Sequence, residues 1–144
     1  MKRHNGRIIA VQILYNMDIR RLTKEETIQA FEDLINLEKE EEYPVEIDTK
    51  YAQELIEGCY DNINNIDMLI SSALTNYTID RLSYVDRAII RIAVYEMKWL
   101  KVDKHIAINE ALEITREYSS IDNDKQVQFN NKLLDKVSIH VNEQ

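Results

Sequence analysis

The sequence predicts an all-α protein of about seven helices, arranged in two small helical bundles. Apolar residues recur at helical spacing along most of the 144-residue chain. Glycine occurs twice and proline once, whereas a β-rich fold usually uses these residues in its many tight turns. The length corresponds to a single domain, in which we expect one bundle to comprise residues 1–78 and the other residues 79–144.

Helix start and stop signals divide the first half of the chain. An apolar stripe over residues 9–17 marks the first helix, which is predicted to start within residues 3–7. Thr23 and Glu26 have the spacing of a capping box and predict the start of the second helix. Pro44 predicts the loop that follows, because the residue before a proline avoids helical geometry.

Asp48 or Thr49 is predicted to cap the third helix. Further along the chain, a wide apolar arc within residues 84–100 predicts a central fifth helix with more than one neighbour. Glu96 falls on the buried side of that helix, where a carboxylate needs partners. We expect those partners on the sixth helix, whose inward line ends at Tyr118.

The residue types that catalysis and metal binding require are not assembled in the sequence. Gly6 and Gly58 are too few for a glycine-rich phosphate loop. The three histidines lack the spacing of a helical metal site. Cys59, the single cysteine, lies on an apolar helix line and is expected to be a core residue. We therefore expect no metal, no cofactor and no enzymatic activity.

Charge is distributed unevenly along the chain. Residues 1–22 contain five basic residues and one acidic residue, a net charge of +4, whereas the whole chain has a net charge of −8. We interpret this distribution as a basic N-terminal arm on an acidic body. The sequence shows no secretory signal and no apolar run near the ~18–20 residues that cross a bilayer, so we expect a cytoplasmic protein.

Four motifs follow one another along the chain. Residues 1–15 contain arginines followed by Ala-Val-Gln-Ile-Leu-Tyr, and residues 86–96 have the sequence Asp-Arg-Ala-Ile-Ile-Arg-Ile-Ala-Val-Tyr-Glu. Residues 107–114 begin Ala-Ile-Asn-Glu-Ala, and residues 129–135 have the sequence Phe-Asn-Asn-Lys-Leu-Leu-Asp. In order and spacing, from residue 1 to about residue 136, the chain resembles the NusB family of transcription antitermination factors.

This resemblance implies an RNA-binding factor without a cofactor or covalent chemistry. NusB-like proteins bind the boxA element of nascent RNA together with the tenth ribosomal protein of the small subunit. The pair helps the transcription elongation complex to read through terminators, notably in ribosomal RNA operons. Some family members self-associate, so a homodimer is left open.

The resemblance and the first helix together predict the RNA-binding residues. Arg3 and Arg7 lie four residues apart and therefore on one helix face, and the alternative for this pair is that it only makes the terminus soluble. Tyr15 offers a ring for stacking and Gln12 an amide for base edges, which with cations is the mixture that reads single-stranded RNA. Core packing is the alternative for Tyr15. The other predicted RNA contacts are Lys2, Phe129 (for which core packing is again the alternative), Asn131 and Lys132.

Departures from the family pattern affect the arm and the partner surface. Gly6 stands where the family usually has alanine, and it lowers helix stability by roughly 1 kcal/mol, so we expect an arm that orders on binding. Asp86, Arg87 and Asp124 are the predicted contacts of the ribosomal protein. Such a partner is usually basic, which suits an acidic body.

Two other functions are left open by the residues. NusB-like domains also precede the catalytic domain of some ribosomal-RNA cytosine methyltransferases, which would require a methyl-donor-binding domain after residue 144. The second alternative is a helical homodimer or protein-binding adaptor that does not contact RNA. Binding of boxA-containing RNA, with and without the ribosomal partner, separates this adaptor from an antitermination factor.

Overall fold

The structure describes residues 1–76, 78–119 and 124–142, which contain seven α-helices and one short 3-10 turn joined by loops. The structure is a computed structural model. The helices are α1 (Lys2–Arg20), α2 (Lys24–Lys39), α3 (Thr49–Asp61), α4 (Ile63–Ala73), α5 (Tyr84–Lys98), α6 (Lys104–Tyr118) and α7 (Lys125–Asn142), and the 3-10 turn (Ile79–Arg81) precedes α5. The all-α prediction is confirmed. None of the helices in these ranges is both long and apolar enough to cross a membrane.

Side chains cap α2 and α3 at the predicted places. The Thr23 hydroxyl accepts a hydrogen bond from the backbone N–H of Glu26, whose carboxylate accepts one from the N–H of Thr23. Asp48 accepts a hydrogen bond from the N–H of Tyr51. Each cap satisfies backbone donors that the first helical turn leaves without a partner. The capping box and the start of α3 are therefore confirmed, and Pro44 lies in the loop between the two helices.

The N-terminal arm is helical from Lys2 onward, so the expectation of an arm that orders only on binding is wrong. Gly6 lies against the start of α3, where an added Cβ would be 3.0 Å from the carbonyl oxygen of Asp48. The N–H of Asp48 donates to the carbonyl of Lys2, and the amide of Asn5 donates to the carbonyl of Glu46. Tertiary contacts therefore order the arm despite the low helix propensity of glycine.

Helix α5 is the centre of the fold, as its wide apolar arc predicts. It packs against α1, α3, α4, α6 and α7, and all residues from Ala88 to Met97 are buried. Each large aliphatic side chain buried in this way stabilises the fold by roughly 1.5–3 kcal/mol. The core residues of both halves of the chain form one continuous cluster around α5.

Two groups of helices share α5. On one side α1, α2 and α3 pack against one another, and on the other side α7 packs against both α4 and α6. Helix α4 precedes residue 78 and was therefore expected in the first bundle. It packs mainly against α5 and α7 instead, and Ile66 and Ile70 are among its buried residues. The packing groups therefore differ from the predicted bundles 1–78 and 79–144.

Candidate nucleic-acid interface

A surface groove of about 310 Å³ lies between α1, α2, α5 and α6. Tyr15 and Tyr118 line this groove, and Gln12 and Asn16 add amide groups along α1. Apolar side chains such as Val85 form its remaining walls. The groove thus offers flat rings and amide hydrogen-bonding groups to a ligand at the surface.

A third tyrosine extends this surface. The ring of Tyr84 meets that of Tyr15 edge to face, with ring centroids 6.5 Å apart and an interplanar angle of 89°. The guanidinium of Arg87 lies 4.8 Å from the centroid of the Tyr84 ring, a cation–π distance. Tyr15, Tyr84 and Tyr118 are 36%, 43% and 51% exposed. We refer to Gln12 and these three tyrosines as the tyrosine groove.

Sequence patterning missed two of the three rings. Tyr118 was predicted to face inward, which is wrong because half of its surface is exposed. Tyr84 is the first residue of α5 and Tyr118 the last of α6. Helix periodicity is least informative at helix ends, and only the packing of α5 and α6 brings both ends to the middle of α1. An aromatic residue at a helix terminus is the one signal in the sequence that could have identified them.

Arg7 lies inside the protein and does not belong to this surface. Only 4% of the residue is exposed, and its Nη2 lies 2.8 Å from Oε2 of Glu96. Its Nε donates to the same carboxylate at 3.0 and 3.1 Å. The prediction that Arg7 contacts RNA from an exposed helix face is therefore wrong, because the guanidinium is already bound by a buried carboxylate where α1 packs on α5.

Glu96 is 1% exposed, so its predicted burial is confirmed. Its partners are not on α6 as expected, because α1 and α3 supply Arg7 and the hydroxyl of Tyr51, which donates a hydrogen bond to the carboxylate. Burial lowers the pKa of Arg7, but the hydrogen bond and the charge of Glu96 outweigh burial and leave that pKa above its ordinary value. Burial and the hydrogen bond to Glu96 raise the pKa of Tyr51. Arg7 therefore stays charged and Tyr51 stays protonated at neutral pH.

Lys2 and Arg3 are exposed cations in the first turn of α1. Lys2 Nζ lies 3.8 Å from Glu46, and Arg3 Nε lies 4.0 Å from Asp48. The Arg3 guanidinium also lies 4.3 Å from the centroid of the Tyr51 ring. Exposed pairs at such distances typically contribute ~0–1 kcal/mol, so phosphate groups can compete for both cations. Arg3 lies roughly 18 Å along α1 from Tyr15, at 1.5 Å per residue.

Asp86 is buried and joins three helices. Its carboxylate accepts hydrogen bonds from Ser83 and Ser119 at 2.7 Å and from the amide of Asn130 at 3.1 Å. With 3% of its surface exposed, Asp86 is not a partner contact, and that prediction is wrong. Arg87 is half-buried and donates to backbone carbonyls of the preceding turn.

The predicted contacts on α7 lie close to the end of α6. Asn130 donates to Thr115 as well as to Asp86, which fixes the first turns of α7 beside the segment that bears Tyr118. Phe129 is half-buried and packs against the core. Asp124, directly before α7, and Asn131 and Lys132 on α7 are exposed. Their roles in binding RNA or a protein stay predictions.

Comparison with known proteins decides the family. A sequence model described as the NusB family matches residues 4–138. The chain belongs to the NusB family. It is 38% identical to the transcription antitermination protein NusB of Clostridium botulinum over 95% of this chain and 98% of that protein. It is 31% identical to the protein of the same name from Myxococcus xanthus, over 97% of this chain and 96% of that one.

Solved structures of NusB proteins share the fold. NusB of Thermotoga maritima superposes with a TM-score of 0.77 at 27% identity, covering 100% of this chain and 99% of the other. A crystal structure of the antitermination factors NusB and NusE in complex with double-stranded RNA contains a chain with a TM-score of 0.77 at 23% identity, covering 95% of this chain and 96% of that one.

The motifs that resemble NusB have two structural roles in this chain. Arg7 and Glu96 form the buried pair between α1 and α5, and Asp86 is the acceptor of the buried network between α5 and α7. Only part of the motif set, including Tyr15 in α1, reaches the surface. Arg7, Glu96 and Asp86 of these motifs therefore belong to the scaffold of this chain.

Proposed function

We propose that this protein is a cytoplasmic RNA-binding antitermination factor without catalytic chemistry. In this proposal the tyrosine groove and the basic arm bind single-stranded boxA RNA together with the tenth small-subunit ribosomal protein. The assembly acts within the transcription elongation complex and promotes read-through, notably in ribosomal RNA operons.

The tyrosine groove is the observation on which the proposal rests. Three partly exposed rings and the amide of Gln12 lie together on one surface, although the protein has a net charge of −8. Base–aromatic stacking contributes ~1–3 kcal/mol per base, and unpaired bases present their edges to amides. Lys2 and Arg3 provide exposed positive charge on the same helix.

Family membership supports the same function. Relatives that are 31–38% identical over nearly their full length are named transcription antitermination proteins. A NusB chain of the same fold has been crystallised with a protein partner, NusE, and with RNA. An acidic protein with a pI of about 4.9 attracts a basic partner electrostatically, which supports a ribosomal protein in that role.

Direct RNA binding tests the proposal. Fluorescence anisotropy with a labelled boxA RNA, alone and with the ribosomal protein, should give weaker binding for Tyr15→Ala and Tyr118→Ala by ~1–3 kcal/mol each if each ring stacks a base. Tyr43→Ala is the matched control, because Tyr43 is 84% exposed and lies in the loop before α3. Circular dichroism should show the same helical content for all variants.

Cations and rings should respond differently to salt. Lys2→Ala and Arg3→Ala should each lower the slope of log Kd against log salt by about 0.7 for every phosphate group that the variant no longer binds. The tyrosine variants should keep the wild-type slope. Wild-type affinity in Tyr15→Ala and Tyr118→Ala, or an equal decrease in Tyr43→Ala, would remove the tyrosine groove as the RNA site.

A protein-binding adaptor without RNA contact is the second candidate, and the apolar walls of the groove favour it. Side chains such as Val11, Leu34 and Val85 line the groove and could accept an apolar residue of a partner. In that case neither wild type nor the tyrosine variants would bind boxA RNA alone, and the tyrosine variants would bind the ribosomal protein more weakly than wild type. Anisotropy titrations with labelled boxA RNA and with labelled ribosomal protein, carried out separately, therefore distinguish the two functions.

A further inference from the structure

His4 brings an imidazole from α1 into a group of carboxylates on α6. Its Nδ1 lies 2.5 Å from Oε2 of Glu110 and 3.8 Å from Oε2 of Glu113. Its Nε2 lies 3.8 Å from Oε1 of Glu117. Only 14% of the histidine side chain and 25% of that of Glu110 are exposed, so this group lies at a partly dehydrated junction between two helices.

The three carboxylates have a spacing that places them together. Glu110, Glu113 and Glu117 lie three and four residues apart, so they project from one face of α6. Like charges at this spacing destabilise a helix by roughly 0.2–0.5 kcal/mol per pair. Arg7 also lies beside Glu110, with its Nη1 3.4 Å from Oε1. Arg7 is shared with Glu96, so the group keeps an excess of negative charge.

We propose that His4, Glu110 and Glu113 bind a divalent first-row transition-metal ion such as Zn²⁺. The ligand atoms of these residues all lie within 4.8 Å of one another. Zinc binds imidazole nitrogen and carboxylate oxygen at about 2.0–2.2 Å, so rotation of the glutamate side chains brings the three atoms to one ion. Solvent reaches the site past Glu113, which is 60% exposed, and water completes the coordination.

The chemistry of the ligands selects the metal. Imidazole favours zinc and its neighbours, whereas sites for Mg²⁺ and Ca²⁺ use oxygen ligands. The Oε2 atom of Glu110 faces His4 while Oε1 faces Arg7. An ion pair at the second oxygen restrains the orientation of a metal-ligating carboxylate, as contacts to the ligands themselves do in other metal sites. The bound ion would tie the first turn of α1 to α6 and neutralise carboxylates beside the basic arm.

Calorimetric titration of the full chain with ZnCl₂ tests the site. Wild type should bind one equivalent, and His4→Gln and Glu113→Gln should each weaken binding at least about tenfold. His105→Gln is the matched control, since His105 is exposed at the start of α6 and should leave the affinity unchanged. Excess MgCl₂ should not displace the zinc. Zinc should also raise the Tm of wild type, and EDTA should reverse that rise.

Several results would overturn the proposal. These are the absence of one-equivalent binding to wild type, wild-type affinity in both His4→Gln and Glu113→Gln, or an equal decrease in His105→Gln. If His4→Gln does not fold, Glu113→Gln still decides, because Glu113 is largely exposed and its amide keeps the helix intact. RNA binding is not needed for any of these measurements, so the outcome is independent of the proposed function.

Discussion

Removing the guanidinium of Arg7 should destabilise the protein rather than its complex with RNA. Arg7→Met keeps an unbranched apolar side chain next to α5 but removes the charge that lies 2.8 Å from Glu96. Glu96 is 1% exposed and would retain only the hydroxyl of Tyr51 as a hydrogen-bond donor among its described partners. Leaving a buried carboxylate without its cation has a large free-energy cost.

The expected cost follows from this burial. Breaking a buried ion pair by removing one partner typically costs ~3–5 kcal/mol, whereas replacing both partners with apolar residues is often neutral or stabilising. With a urea m-value of ~2 kcal/mol per molar for a small domain, Arg7→Met should lower the unfolding midpoint by roughly 1.5–2.5 M. Arg7→Met combined with Glu96→Met should recover most of that decrease.

Urea unfolding followed by circular dichroism measures these midpoints for wild type, Arg7→Met, Glu96→Met and the variant that carries both substitutions. The boxA affinity of folded Arg7→Met should retain the wild-type salt dependence, because a buried cation contacts no phosphate. An unchanged midpoint together with weaker RNA binding and a lower salt slope would refute the argument. It would show that the guanidinium leaves Glu96 and contacts RNA, and the RNA contact of Arg7 predicted from the sequence would then be correct.

Two further predictions concern other buried groups. Tyr51→Phe should be less stable than wild type at pH 8, because the variant cannot donate the hydrogen bond to Glu96. The pKa of Tyr51 is higher in the folded protein than in the unfolded chain. The stability that its hydroxyl contributes is therefore complete below the unfolded pKa of about 10 and decreases as pH rises from there toward the folded value. The unfolding free energies of wild type and Tyr51→Phe should accordingly draw closer between pH 10 and pH 11. A difference in unfolding free energy that stays constant from pH 8 to pH 11 would contradict this. Asp86→Ala should lower the free energy of unfolding in urea by ~1–3 kcal/mol, because the donors of Ser83, Ser119 and Asn130 lose their acceptor. The control is Asp33→Ala at an exposed position on α2, which should change that free energy by less than about 0.5 kcal/mol.

Local sequence signals predicted much of the fold. The capping box at Thr23 and the cap at Asp48 depend on contacts within four residues, so residue spacing is sufficient to recognise them. The central position of α5 followed from its wide apolar arc, because a helix that is apolar on most sides has to be covered on most sides. Residue spacing did not predict which helices cover α5.

The candidate surface was only partly predictable. Tyr15 and Gln12 were found because they lie on the same helix as the arginines, while Tyr84 and Tyr118 come from the ends of two other helices. The proposed zinc site was also invisible to spacing, since His4 is 106 residues before Glu110. Sites assembled from distant helices have no fixed interval in the sequence.

The sequence by itself determined that Arg7, Tyr51 and Glu96 lie on helices, and that Glu96 lies on a buried face. Tertiary structure alone decided that the other two residues satisfy Glu96, and hence that Arg7 stabilises the core instead of facing solvent. Helix periodicity specifies the direction of a side chain relative to its own helix. Whether that direction leads to water or to a carboxylate depends on the helices that pack there.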